Sequence, residues 1–326
     1  MAILITGGAG YIGSHMVHAA LERGETPIVL DNLSTGNRSL LPEETMFVEG
    51  NAGDQVLVRR LVTQYGIDAI IHFAGSIVVP ESVANPLLYY ANNTMVSRAL
   101  IEAAVESGVR HFIFSSTAAV YGESQTAPVS ERGLTKPISP YGRSKLITEW
   151  MLEDAARAHD FRYVALRYFN VAGADPQGRT GQSSPNATHL IKKACQVVLG
   201  RSPELEIFGA DYPTPDGTGV RDYIHVSDLV QAHAIALDYL RSGGEARVMN
   251  CGYGHGASVR EVIAAVERAA GRKLKVREVP RRSGDVGSLV ADTQLIQSAL
   301  GWKPRHDDLN EIVAHSLAWE RRLNTV

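Results

Sequence analysis

Two side chains of different acidity stand four residues apart in Ser139-Pro140-Tyr141-Gly142-Arg143-Ser144-Lys145. At a helix start that spacing puts Tyr141 and Lys145 on one face. A free phenol, with a pKa of about 10, is a poor base at neutral pH. A nearby ammonium favours phenolate, and a tyrosine so poised can act as general acid or base on an alcohol. Tyr/Lys pairs of this spacing are also common on ordinary exposed helices, so the pair needs company. It has some in Phe112-Ile113-Phe114-Ser115-Ser116-Thr117, an apolar run ending in three hydroxyls. Ligands collect beyond the carboxyl ends of parallel strands, which places Thr117 to hydrogen-bond a reacting oxygen.

A second constellation lies at the start of the chain. In Thr6-Gly7-Gly8-Ala9-Gly10-Tyr11-Ile12-Gly13 the glycines fall at 7, 10 and 13, after an apolar run and before an amphipathic one. Glycine permits the tight turn and lets backbone approach a pyrophosphate, which the N–H groups and dipole of the next helix then face. A lone glycine motif is weak; strand before and helix after give it context. Asp31 ends Ile28-Val29-Leu30-Asp31, near the ~20-residue offset of an acid that accepts from a ribose 2′-OH. A carboxylate there repels a 2′-phosphate, and no arginine adjoins it, Arg38 being the nearest. The expected cofactor is NAD rather than NADP. Its positive nicotinamide ring would add to the pull of Lys145 on Tyr141.

These residues need a frame. Candidate strands are Ala2–Thr6, Pro27–Asp31, Met46–Glu49, Ala69–Phe73, Arg110–Ser115 and Tyr163–Tyr168. They are dense in Ile, Val, Leu and Phe, as suits strands buried on both faces. Helical stretches at Tyr11–Arg23, Gln55–Tyr65, Pro86–Ser107 and Tyr141–His159 alternate with them, which predicts a doubly wound α/β sheet. Asn92 falls on the long third helix. After Val171 the texture becomes mixed and loop-rich, with a strand at Leu205–Phe208. Helices are expected at Ala187–Leu199, Ser227–Leu240, Ser258–Ala270, Asp292–Leu300 and Leu309–Arg322. The predicted division is a nucleotide-binding domain over 1–172 and a smaller mixed α/β domain over 173–326, with segments around 221–252 returning to the first.

The 326 residues carry 44% apolar and 21% charged side chains and a net charge of −3. No basic excess points to nucleic acid. No apolar run reaches membrane-spanning length, and the N-terminus lacks a signal pattern. Cys195 and Cys251 cannot make a disulfide framework or a thiolate zinc site. The eleven histidines show no metal-ligand spacing, so no metal is expected. The Asn37, Asn92 and Asn186 glycosylation triplets are read as chance, and the expected location is the cytoplasm.

Over nearly its whole length the chain resembles the extended short-chain dehydrogenase/reductase family, and within it the UDP-glucose 4-epimerases. The resemblance rests on Thr6–His15, Asp31–Gly36, Ile71–Gly75 with Glu81-Ser82, Phe112–Gly122, Ser139–Lys145 and Arg167-Tyr168-Phe169-Asn170. It continues through Ile207-Phe208-Gly209, the long stretch Asp211–Val226 and Arg281–Asp285. It implies a Rossmann-type doubly wound parallel sheet, a tightly held NAD and a UDP-sugar substrate. It also implies a homodimer built on the helices at 86–107 and 141–159. Inversion at C4 would pass through a transient 4-keto sugar that swings about its diphosphate linkage. Tyr141 would be the acid/base, Lys145 would hold the nicotinamide ribose, and Thr117 would bond O4.

The same resemblance assigns the remaining contacts. The cofactor would meet Gly7, Gly10, Tyr11, Ile12 and Gly13, and then Asp31, Asn32, Leu33, Ser34, Thr35 and Gly36. Asn51 and Ala52, Phe73, Ala74 and Gly75, Asn92, Ser115 and Phe169 would complete its site, with Tyr141 and Lys145. The UDP-sugar would meet Asn170, His189, Leu190, Phe208, Arg221, Arg282 and Asp285, besides Thr117 and Tyr141. Arginines suit a diphosphate and a carboxylate suits ribose hydroxyls.

Some positions depart from the family's usual residues. Ile77 stands where a lysine often reaches the cofactor, which predicts weaker retention. Asn51 replaces a common aspartate near the adenine, and His189 a common asparagine. Leu289 occupies the position that gates sugar size, predicting UDP-glucose/UDP-galactose activity with side activity on UDP-GlcNAc. Other UDP-sugar 4-epimerases, acting on UDP-glucuronate or UDP-pentoses, stay open. A 4,6-dehydratase is disfavoured because Ala118-Ala119 replace the usual acids after the hydroxyl. A non-catalytic NAD-binding regulator would not need Thr117, Tyr141 and Lys145 together.

Overall fold

The structure is a computed structural model that describes residues 1–123, 128–184, 187–282 and 285–323. Asn186, the first residue of its triplet, lies outside the described residues. The main sheet contains β1 (Ala2–Thr6), β2 (Thr26–Asp31), β3 (Met46–Glu49), β4 (Ile67–His72), β5 (His111–Thr117) and β6 (Arg162–Tyr168). Short strands follow: β7 (Asn170–Ala172), β8 (Leu205–Phe208), β9 (Val220–Arg221) and β10 (Tyr223–His225). Then come β11 (Arg247–Cys251), β12 (Ala257–Ser258), β13 (Val276–Val279) and β14 (Ser288–Leu289). The helices are α1 (Tyr11–Glu22), α2 (Gln55–Tyr65), α3 (Val79–Ala84), α4 (Pro86–Tyr89), α5 (Val96–Glu106) and α6 (Pro140–Ala158). The rest are α7 (Leu190–Val198), α8 (Val226–Arg241), α9 (Val259–Ala270), α10 (Gln294–Leu300) and α11 (Leu309–Arg322).

The sheet order is β11-β6-β5-β4-β1-β2-β3, parallel throughout. The apolar runs carry almost no polar alternation because both faces are covered. Ile3, Ile5, Val29, Ile71, Ile113 and Val164 pack on one side with Met16 and Val17 of α1 and Leu229 and Leu237 of α8. Leu4, Ile28, Leu30, Ile70, Phe112 and Phe114 pack on the other with Val58, Leu100 and Leu152 from α2, α5 and α6. The first cluster continues into Ile207, Val262, Leu274 and Ile312, so one core runs through both halves of the chain. The order reverses between β1 and β4, and crossovers on either side leave a crevice at the strands' carboxyl ends.

The sequence reading has no counterpart for α3 or for the short strands β7, β9, β10, β12, β13 and β14, and two larger elements also differ from it. The run expected as one helix over 86–107 is α4, a π-helical stretch over Tyr90–Met95, and α5. The wider turn re-phases the helix. The edge strand β11, Arg-Val-Met-Asn-Cys, lacks the apolar density of the others and is fixed by pairing with β6. Local caps agree elsewhere: Ser258 and Glu261 form a capping box on α9, which Gly271 ends in the left-handed conformation.

Candidate active site

Glycine geometry builds the first wall of the crevice. Gly7 has φ of 70°. A Cβ on Gly13 would stand 2.1 Å from the Gly7 carbonyl oxygen, and one on Gly10 would stand 3.1 Å from it. The loop therefore closes on itself and leaves the start of α1 open to an anion. Beside it, Asp31 is buried, with Oδ2 accepting from Ala9 N–H (3.0 Å) and Oδ1 from Leu33 N–H (2.8 Å). Leu33 pays for that bond with φ of 56°. Burial raises the Asp31 pKa and the two N–H groups pull it back. Each oxygen keeps a lone pair for a ribose hydroxyl. This cradle, with its close backbone and its paired-off acid, fits a dinucleotide.

The second wall comes from α6. Ser139 caps the helix by accepting from Gly142 N–H at 3.2 Å, and Pro140 takes the first helical position. A Cβ on Gly142 would lie 2.5 Å from the Ala119 carbonyl, so the helix start sits directly against the turn that follows β5. That contact brings Tyr141 to Thr117. Thr117 Oγ1 accepts from Ala119 N–H at 3.1 Å, and the Thr117 side chain stands beside the Tyr141 hydroxyl. Burial raises the Tyr141 pKa, and the polar Thr117 side chain opposes it. The Tyr89 ring meets Tyr141 edge-on, with centroids 6.4 Å apart. Lys145 is buried, donates from Nζ to the Ser115 carbonyl at 2.9 Å and lies over Phe114. Desolvation lowers its pKa to about 8.

These walls enclose a cleft of about 920 Å³. Gly7, Gly10, Tyr11, Ile12, Gly13, Asp31, Asn32 and Ser34 to Gly36 line one end, with Asn51, Ala52, Phe73, Ala74, Gly75 and Asn92. Ser115, Thr117, Tyr141 and Phe169 line its middle; Asn170, His189, Leu190, Phe208, Arg221, Arg282 and Asp285 line the far end. Three expected residues stand outside the wall. Leu33 contributes its backbone to Asp31. Lys145 sits behind Gly75, whose Cβ would lie 3.8 Å from Nζ. Leu289 packs on the cluster of Val120, Tyr121, Leu146 and Phe169, behind the lining.

The far end is cationic. Arg282 stacks 3.4 Å above the Phe208 ring, and Arg221 bonds only its neighbour's carbonyl at Val220 (2.9 Å). Among the described residues neither meets a carboxylate. Arg281, by contrast, is paired with Asp211 at 2.7 Å. The His189 ring nitrogen Nδ1 lies 3.5 Å from Gln182 Nε2, and burial lowers its pKa to about 4.

Sequence reasoning missed Ser76, Tyr168, Gln182, Lys193 and Tyr223, which also line the cleft. It also missed Asn93. Asn93 is buried, accepts from Ser76 N–H (2.8 Å) and donates to the Ser76 carbonyl (3.0 Å) and Ser144 Oγ (3.0 Å). It clamps the loop after β4 to α6 between Tyr141 and Lys145. On a regular helix adjacent asparagines diverge by about 100°. The π-helical stretch brings Asn92 to the Ser76 hydroxyl (3.2 Å) as well.

Away from the cleft, His225, His306 and His315 bring ring nitrogens within 4.8 Å of one another. No sequence spacing announced this group. His225 Nδ1 accepts from Ser227 N–H at 3.0 Å, which puts the proton on Nε2, 3.0 Å from His315 Nδ1. That tautomer has no lone pair left for a metal. No helix of the described residues is long and apolar enough to cross a membrane.

The profile of the NAD dependent epimerase/dehydratase family matches residues 3–252. A UDP-glucose 4-epimerase of Azospirillum brasilense is 55% identical over 98% of this chain and 92% of its own length. The crystal structure of a Brucella ovis UDP-glucose 4-epimerase in complex with NAD superposes with a TM-score of 0.94, at 42% identity over 97% of each chain. A UDP-Glc/GlcNAc 4-epimerase of Campylobacter jejuni superposes at 0.86, with 47% identity over 98% of this chain and 99% of that one. On a family match covering most of its length and relatives this similar from end to end, the chain belongs to the NAD dependent epimerase/dehydratase family.

Proposed function

We propose that the protein interconverts UDP-glucose and UDP-galactose by reversible epimerisation at C4. The observation that carries this is Tyr141 beside Thr117 in the wall of one cleft that also holds the glycine–Asp31 cradle and two arginines that meet no carboxylate among the described residues. NAD, when bound, supplies reversible acceptance and return of a hydride at the sugar carbon, by way of a 4-keto sugar. The glycine loop, Asp31 and the walls at 73–75 and 51–52 hold it. Ile77, exposed in the cleft wall where a cation is usual, makes that hold weaker.

Tyr141 takes the proton of the 4-OH and later returns it. The protein alone raises the phenol's pKa by burial; the downward pull expected from the sequence requires the positive cofactor ring beside Lys145. Thr117 donates to the reacting oxygen or to the phenolate. Arg221 and Arg282 hold the diphosphate, Asp285 the ribose, and Asn170, His189, Leu190 and Phe208 the remainder of the nucleotide. Leu289, packed behind Phe169, sets the pocket for hexoses and admits UDP-GlcNAc as a lesser substrate.

The reading assigns residues 1–172, with β11, to the cofactor and 173–326 to the nucleotide sugar. Its two free buried cysteines suit a reducing compartment, the cytoplasm. The enzyme there links galactose to glucose metabolism and works as a homodimer.

The test is incubation of purified protein with UDP-galactose, first without and then with added NAD, followed by chromatography for UDP-glucose. Conversion that Tyr141→Phe reduces by about two orders of magnitude or more supports the reading. No conversion even with NAD present removes it.

A further inference from the structure

Two adjacent lysines on α7 have different surroundings. Lys192 is buried and engaged: Nζ donates to Glu320 Oε2 and to the Gln182 carbonyl, each at 2.8 Å. Lys193 points elsewhere. From α7 the cleft wall takes Leu190, Lys193 and Val197, the i, i+3, i+7 stripe of one helix face. Lys193 is half-buried there, and its side chain has no hydrogen bond or ion pair among the described residues.

Direction matters as much as phase. A long side chain on a helix leans toward the helix N-terminus. By that rule the Lys193 stem leans toward the turn that begins at His189 and Leu190, both in the wall. Its own backbone N–H is spent on the His189 carbonyl at 3.0 Å, so only the ammonium is free for a ligand. Glu204 and Glu206, acids of the same cleft wall, are already paired, with Lys275 and Arg277. Lys193 is left facing the same cleft as Arg221 and Arg282.

We propose that Lys193 is a third cation of the diphosphate subsite, reaching from α7 to the phosphates of the bound nucleotide. The proposal rests on the UDP-sugar reading given above. It gives the pyrophosphate a positive group from α7, independent of the arginines on β9 and at 282. It makes Lys193 a phosphate ligand and not a reader of the base.

The experiment is calorimetric titration of the holoenzyme with UDP and with uridine, at low and raised salt. Lys193→Met keeps the apolar stem and removes the charge; Lys193→Gln is a second neutral variant should the first fold poorly. Either neutral variant should weaken UDP about tenfold at low salt, the size of one charge-assisted hydrogen bond. The gap should shrink as salt rises. Uridine should bind each form alike, and Lys193→Arg should retain most of the UDP affinity. UDP affinity unchanged within about twofold, or an equal loss for uridine, overturns the proposal. Failure of the unaltered protein to bind UDP overturns instead the reading of the cleft on which it rests.

Discussion

At the scale of single residues, the site depends on what is absent as much as on what is present. Gly13 has no room for a side chain: its Cβ would overlap the Gly7 carbonyl at 2.1 Å and the Gly8 Cα at 2.7 Å. Both are backbone atoms that no rotamer change can move. Gly13→Ala should therefore push α1 away from the loop, lowering the thermal midpoint by several degrees and stripping the bound dinucleotide. The check is the absorbance of cofactor released on denaturing the purified variant, beside its melting curve. Lys145→Met keeps volume in the buried slot and removes the ammonium over Phe114. It should cost most of the activity with little loss of stability, because burial already disfavours the charge there. Steady-state rates with a denaturation curve separate the two effects. The types and spacing of these residues were legible in the sequence. The positions of Lys145 behind Gly75 and Leu289 behind Phe169 were not, because layer depth is a property of packing.

At the scale of elements, a buried ion pair fixes the register that brings Tyr141 to Thr117. Glu149 lies eight residues after Tyr141 on α6, accepts from Ser116 on β5 and binds Arg167 of β6 at 2.5 Å and 2.9 Å. Arg167 also donates to the Tyr121 hydroxyl (3.0 Å), which donates to Asn250 of β11 (2.6 Å). Both charges are nearly inaccessible, so breaking the pair from one side strands the other charge. Glu149→Ala should cost about 3–5 kcal/mol, read from urea unfolding.

The His225 group joins β10, α8 and α11. Burial and the neighbouring imidazoles lower the His225 pKa from 6.5 to about 2. The unfolded chain then binds a proton that the folded chain refuses. Stability from this group is complete above about pH 6.5 and falls as pH drops toward the folded value, by at most ~1.4 kcal/mol per pH unit. His225→Asn, which can still cap Ser227, should flatten that acid slope in unfolding curves taken between pH 4 and 7.

At the scale of the whole molecule, one surface remains unexplained by the monomer. Leu87 (79% exposed), Met95 (57%) and Trp150 (54%) lie on α4, the π-helical stretch and α6, which pack against one another. Large apolar groups gathered on neighbouring helices mark an interaction surface. On the homodimer reading, Trp150→Glu should shift the protein to monomers in sedimentation equilibrium at micromolar concentration while leaving the sheet intact. A unaltered protein that sediments as a monomer would remove that reading.

What the sequence determined by itself is whatever rests on neighbours along the chain. The six core strands of the sheet, the glycine loop, the acid at the end of β2 and the Tyr141–Lys145 phase all follow from local periodicity and from backbone sterics at glycine. Tertiary structure decided what depends on partners far along the chain. β11 is a strand because β6 pairs with it; Asn93, on a π-helical stretch, reaches Ser144, 51 residues away; and three histidines with no telling spacing meet across 90 residues. It also decided that Lys193, and not Lys192, faces the cleft: Glu320, 128 residues away, takes the other. Such contacts arise only when packing of the shared core brings distant segments together, and no window of sequence contains them.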